Sequence, residues 1–159
     1  MVKEINTLIV GGGQAGLAMS SHLSEVGINH LIIEKGLIAQ KWRSERWDSL
    51  VMNGPAWHDR FPAKKFDDCQ SESFPNKDAV VNYFEAFAEQ INAPINCGVE
   101  VKKVRPIKEG GFLVKTTSEI IHAKNVVVAT GPFQIPIIPP IVSDKRLTQI
   151  HSSDYRNSK

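Results

Sequence analysis

Gly11-Gly12-Gly13-Gln14-Ala15-Gly16 has the spacing G-x-G-x-x-G, and an acid, Glu34, stands 18 residues after the last glycine. That pattern suits a dinucleotide when it lies between a strand and a helix. Gly11 permits a tight turn, Gly13 lets the backbone approach a pyrophosphate, and Gly16 lets the helix pack closely on the strand. The phosphates then rest on the free N–H groups at the positive end of the helix. A carboxylate at Glu34 can accept hydrogen bonds from both ribose hydroxyls and repels a 2′-phosphate, which disfavours NADP at this site. The competing reading is a glycine turn without a ligand.

The elements around the glycines meet the requirement. Residues 7–10 form a short, continuously apolar, β-branched run, the pattern of a strand covered on both faces. Over 14–26, Leu17, Ala18, Leu23 and Val26 recur at helical spacing, and Gly27 supplies a C-terminal stop. His30-Leu31-Ile32-Ile33-Glu34 reads as a second buried strand, so the first 34 residues make one βαβ unit.

Residues 35–75 differ, holding all three tryptophans and Pro55, Pro62 and Pro75 without a sustained period. So long an irregular stretch implies a ligand-wrapping loop rather than a surface excursion. A helix is predicted over 76–91, with Val80, Val81, Phe84, Phe87, Ala88 and Ile91 on one face. Strands are predicted over 98–104, 111–117 and 119–122 as a small antiparallel meander turning at Gly110-Gly111. The apolar run 125–129 is expected to rejoin the parallel sheet before Thr130-Gly131-Pro132 breaks it.

The 159 residues have room for about one core, and 42% hydrophobic with 23% charged residues is ordinary for a globular protein. A net charge of +2 is too small to make nucleic acid or an acidic membrane surface the main partner. Neither a signal peptide nor a membrane span is legible near Met1. Cys69 and Cys97 form no CxxC, so no disulfide framework or zinc site is argued, no metal is expected, and a cytoplasmic location is the default. His22, His30, His58 and His122 have no evident partners and read as surface or satisfied residues, and His151 as a linker residue.

The stretch Val126-Val127-Val128-Ala129-Thr130-Gly131, after one βαβ unit, a Trp-rich loop, a helix and a meander, resembles the FAD domain of two-dinucleotide-binding flavoproteins. The flavin-containing monooxygenase-like oxidoreductases are the nearest group. Ala129-Thr130-Gly131 with Pro136 and Pro139 resembles their A-T-G-x-x-x-x-P-x-x-P segment, where the chain leaves the FAD domain. Trp42-Arg43 and Arg46-Trp47-Asp48-Ser49-Leu50 are similar to the loop that passes the flavin. His151 through Tyr155 resembles the second half of F-x-G-x-x-x-H-x-x-x-[FY], with Lys145 and Leu147 at the Phe and Gly positions.

The resemblance implies an α/β fold: a Rossmann-like FAD-binding domain with a parallel sheet, a βαβ start and a small β-meander, incomplete at its C-terminus. Residues 1–140 would be the FAD-binding portion and 141–159 a linker toward an NAD(P)H-binding domain. The implied FAD contacts are Gly11, Gly13, Gln14, Ala15, Gly16, Glu34, Lys35, Trp42, Arg43, Val101, Ala129, Thr130 and Gly131. Asn53 matches an active-site Asn near the reacting edge of the ring, although Asn53-Gly54-Pro55 also has the form of a turn. Trp57 equally suits a loop anchor. Disulfide reductases of this fold carry C-x-x-x-x-C after the acidic strand, and residues 35–68 contain no Cys. The expectation is the FAD-binding part of an NAD(P)H-dependent, monooxygenase-like flavoprotein acting on a small molecule and inactive without a complementing chain or domain. The alternatives are a non-catalytic dinucleotide-binding module and an inactive truncated product.

Overall fold

The computed structural model describes residues 2–67, 69–108, 110–132, 135–144 and 146–159. Strand β1 (Lys3–Val10), helix α1 (Gln14–Glu25) and β2 (His30–Glu34) are the expected βαβ unit. A five-residue helix α2 (Gln40–Ser44), the long helix α3 (Lys77–Gln90), and strands β3 (Ile95–Cys97), β4 (Val101–Pro106), β5 (Phe112–Thr116) and β6 (Ile120–Val128) complete the chain. All six strands join one sheet in the order β3-β2-β1-β6-β5-β4. Strands β3, β2, β1 and β6 run parallel, and β6, β5 and β4 antiparallel.

Two expectations change here. The runs 119–122 and 125–129 are not separate strands: β6 is continuous from Ile120 to Val128, pairing with β5 through Ala123 and with β1 along most of its length. The expected break falls at Ala123 and the polar Lys124, yet the backbone extends through it because β1 offers a continuous template. The strand expected over 98–104 begins later, at Val101, because residues 98–99 are held by β2 and the turn after it: Gly98 N–H donates to Gly36 O and Val99 N–H to Glu34 O, each at 3.0 Å.

Alternation along β1 and β2 divides the core. Ile9 and Ile32 pack with Leu17 of α1 and with Val80, Phe84, Phe87 and Ala88 of α3. Leu8, Leu31 and Ile33 pack instead with Val114, Ile121 and Ala123 of the meander. Helix α3 starts where Asn76 caps it, its side-chain oxygen accepting from Ala79 N–H at 2.9 Å. Tyr83 joins the buried face of α3, where the helical period alone had not placed it.

The long loop is laced to itself. Met52 N–H donates to Pro75 O at 2.8 Å, Ala56 N–H to Ser73 O at 2.9 Å and Trp57 N–H to Ser71 O at 3.2 Å. Its buried anchors are Phe61 and Phe66, packed against Tyr83 with ring centroids 5.4 and 3.8 Å from it, whereas Trp57 is 49% exposed.

Candidate dinucleotide-binding site

The glycine turn sits at the carboxyl ends of β1, β2 and β6, where open α/β sheets bind ligands. Gly11 N–H donates to Ile33 O at 2.9 Å and Ala129 N–H to Val10 O at 2.8 Å, so the three strand ends converge on Gly11. At φ 114° a Cβ on Gly11 would lie 2.4 Å from Ala129 O. A Cβ on Gly16 would lie 1.9 Å from Gly11 O, which is the close approach of α1 to the turn. Protein packing therefore accounts for both glycines.

Gly13 is different. Its backbone is extended, at φ −90° and ψ −167°, and a Cβ there would meet nothing within 4 Å. Nothing within the chain demands a glycine, so the missing Cβ leaves room for something outside it. Gly13 is also the N-cap of α1, which has no side-chain cap and no acid in its first turn. The first amides of a helix have no intrahelical partner. Gly13, half-buried, and Gln14 and Ala15, exposed, thus present the positive end of α1 to an anion.

Glu34 ends β2 beside this opening, and both carboxylate oxygens are held: Gly12 N–H donates to one at 2.6 Å and Gly36 N–H to the other at 2.8 Å. A carboxylate has about four acceptor positions, so two remain for further donors. Sequence reasoning missed these two amides; a glycine two residues after the acid was the available signal. It also missed β3, which brings Cys97 opposite Glu34. Burial, and then the Glu34 charge, push the Cys97 thiol up, so it stays protonated near neutral pH. Lys35 is exposed beside the acid, and Val101 packs half-buried at the start of β4, against the Leu8 cluster. Thr130 and Gly131 follow Ala129 directly, both exposed.

Residues Trp42, Arg43 and Asn53 lie on other elements. Trp42 packs half-buried against the helix-side core, with the Arg46 guanidinium 5.6 Å over its ring. The Arg43 guanidinium donates to Ile38 O at 3.2 Å and to the Glu85 carboxylate, fastening α2 to α3. Asn53 is exposed on the loop, next to Gly54, whose backbone packs on Asp59. The C-terminal stretch returns to the same region: Asp48 N–H donates to Arg156 O at 2.8 Å, Asn157 Nδ2 donates to Asp48 at 2.8 Å, and Arg156 donates to Ser44 O. The Asn157 bond, and then Lys77 Nζ at 2.9 Å, hold the Asp48 carboxyl below the usual carboxylate range. His151 Nδ1 accepts from Ser153 N–H at 3.1 Å in a local turn. Lys145 lies outside the described residues. Of the histidines, His30 is buried and satisfied, contacting Ser20 Oγ and Ile28 O at 2.8 Å each. His58 and His122 pair with Asp59 and Glu4.

Residues 8–159 match the family described as pyridine nucleotide-disulphide oxidoreductase. The CzcO-like uncharacterized oxidoreductase of Geobacillus kaustophilus is 39% identical over 96% of this chain and 44% of its own. The probable indole-3-pyruvate monooxygenase YUCCA1 of Arabidopsis thaliana is 29% identical over 96% of this chain and 38% of its own. The flavin-containing monooxygenase of Stenotrophomonas maltophilia superposes with a TM-score of 0.75 at 22% identity, over 87% of this chain and 42% of that one, a likeness of fold. The chain thus spans less than half the length of these relatives. No helix among the described residues is long and apolar enough to cross a membrane. With its glycine turn, acid-ended second strand and matched span, the chain belongs to the pyridine nucleotide-disulphide oxidoreductase family and has the fold shared with flavin-containing monooxygenases.

Proposed function

We propose that this chain is the FAD-binding part of an NAD(P)H-dependent, monooxygenase-like oxidoreductase, and that it does not turn over alone. The observation that carries the reading is the open space at Gly13 in front of an uncapped helix end, beside a carboxylate already oriented by two backbone amides. The α1 amides would hold the pyrophosphate and Glu34 the adenosine ribose. The flavin supplies the redox chemistry when bound, and the protein contributes position and electrostatics. Neither half of a redox dithiol follows Glu34 before Cys69, which favours the monooxygenase-like branch over dithiol exchange. Asn53 is our candidate for a hydrogen bond near the reacting edge of the ring.

Incompleteness is supported by the sheet. Strand β5 pairs with β6 only as far as Ala123, and among the described residues no strand pairs with that edge of β6 from Lys124 to Val128, where Val128 is 74% exposed. Ile135 and Ile141, at 80% and 83% exposure, leave further apolar surface for a complementing chain or domain. Titrating the purified protein with FAD, and then following NADPH at its absorbance band, tests both halves. The expected outcome is a saturable yellow complex with no steady NADPH oxidation. Failure to bind FAD removes the cofactor assignment, and steady turnover by this polypeptide removes the claim of incompleteness.

A further inference from the structure

The loop that carries Asn53 also builds a pocket unrelated to the glycine turn. Residues His58, Arg60, Phe61, Pro62, Ala63, Lys64 and Lys65 line a concavity of about 500 Å³. Four of these seven side chains are basic and none is acidic. Two of these side chains have a carboxylate partner: His58 Nδ1 contacts Asp59 at 2.7 Å and Lys64 Nζ contacts Asp67 at 3.2 Å. Arg60 and Lys65 have no ion pair among the described residues, and both are exposed. The pocket therefore holds two cations without an ion pair among the described residues, beside the exposed apolar Pro62 and Ala63.

Its backbone is also held in place. The Tyr83 hydroxyl accepts from Phe61 N–H at 2.7 Å and donates to Lys64 O at 2.8 Å, so one buried side chain fixes both ends of the turn. Within that turn Ala63 stands at φ 55°, the left-handed region, where a non-glycine residue persists only when its surroundings impose it. Phe61 is clamped between Phe87, with centroids 4.0 Å apart, and Tyr83. The loop bearing the two cations is thus ordered before any ligand arrives, which lowers the entropic cost of binding.

We infer that this pocket binds a small organic anion, with Arg60 and Lys65 receiving its carboxylate or phosphate and the exposed Pro62-Ala63 surface receiving its apolar body. Arginine offers a planar fork matched to either oxyanion, and lysine a mobile second charge. The volume falls within the usual range for small-molecule sites. The inference does not depend on FAD, because the pocket is lined by the loop alone, which Tyr83 of α3 supports, and uses no residue of the glycine turn.

Calorimetric titration of the whole chain tests it with three probes: 3-phenylpropionate, its uncharged amide, and inorganic phosphate. Saturable binding of 3-phenylpropionate is expected, with the amide at least about tenfold weaker because the charged hydrogen bonds are lost. Phosphate is expected to bind more weakly than 3-phenylpropionate, since it lacks the apolar body. The double variant Arg60→Gln, Lys65→Gln should lose about tenfold or more in affinity. Its melting temperature should stay near the parent's, because both side chains are exposed. Lys124→Gln, an exposed cation on β6, should bind as the parent does. Emission of Trp57, edge-on to His58 at 5.4 Å, gives a second readout. Equal affinity for acid and amide, an unaffected double variant, no saturation, tighter binding of phosphate, or an equal loss in Lys124→Gln would each overturn the assignment.

Discussion

Changing Gly13 and Gly11 to alanine, one at a time, separates glycines that serve a ligand from glycines that serve the fold. At Gly13 the new Cβ points into open space and the backbone angles suit any L-residue, so the only intrinsic cost is that of Gly→Ala at an N-cap. That cost is about 0.5–1 kcal/mol, which lowers the melting temperature by roughly 1–4 °C in a chain of this size. At Gly11 the residue stands at φ 114° and the Cβ falls 2.4 Å from a backbone carbonyl oxygen. Left-handed strain alone costs about 1–3 kcal/mol, and relieving the clash must shift the junction of β1 and β6. A total above about 3 kcal/mol lowers the melting temperature by roughly 6–12 °C. FAD affinity should show the reverse selectivity in the well-folded variant. Gly13→Ala should lose at least about 2 kcal/mol, near 30-fold, as the pyrophosphate is pushed off the helix amides. Melting scans without FAD and flavin titrations of each folded variant supply both numbers. If Gly13→Ala binds FAD as the parent does, or melts lower than Gly11→Ala, the division of roles is wrong.

Glu34→Gln leaves a single acceptor oxygen for the two amides of Gly12 and Gly36, so it should weaken FAD by roughly 1–3 kcal/mol while lowering the melting temperature of the free protein. Flavin mononucleotide, which lacks the adenosine ribose, should bind parent and variant alike, and calorimetry with both ligands checks this. Tyr83→Phe removes both hydrogen bonds of the pinned turn and leaves the Phe61 N–H without its partner, at about 1–3 kcal/mol read by thermal melting. Burial raises the Tyr83 pKa in the folded state, so its contribution is full below the ordinary value of 10.0 and is lost as pH rises through the raised value; the Tyr83→Phe variant should lack that alkaline loss in a pH series of melts. The Asp48 carboxyl is lowered by Asn157 and Lys77, so its hold on the C-terminal stretch should persist above the ordinary value of 3.8 and fail as pH falls through the lowered value. Asp48→Asn should loosen that stretch near neutral pH, read as faster hydrogen exchange at the Asp48-to-Arg156 backbone bond and easier proteolysis after Arg156.

How much of this was legible depended on whether a signal was local. A strand, a glycine turn, a helix and an acid-ended strand within the first 34 residues are each written in short-range pattern, and the structure reproduces them. Helix α3 shows its 3.6-residue period because one face is buried throughout. Helix α2 and strand β3, of five and three residues, are too short to show any period, and they form because α3 and β2 receive them. The continuity of β6 was hidden because Lys124 interrupts the apolar pattern, whereas pairing to β1 is a backbone property indifferent to that interruption. The sequence alone determined the βαβ unit, most of the α3 face and the placing of Gly11, Gly13, Gly16 and Glu34 around one turn, since these rest on steric limits and periodicities that act between near neighbours. Only the tertiary structure decided which glycine faces open space, that Gly12 and Gly36 orient Glu34, that Arg43 is fastened to Glu85, and that Arg156 and Asn157 return to Ser44 and Asp48. Those contacts join groups 22 to 112 residues apart, apart from the Gly36 bond, and they are set by how whole elements pack.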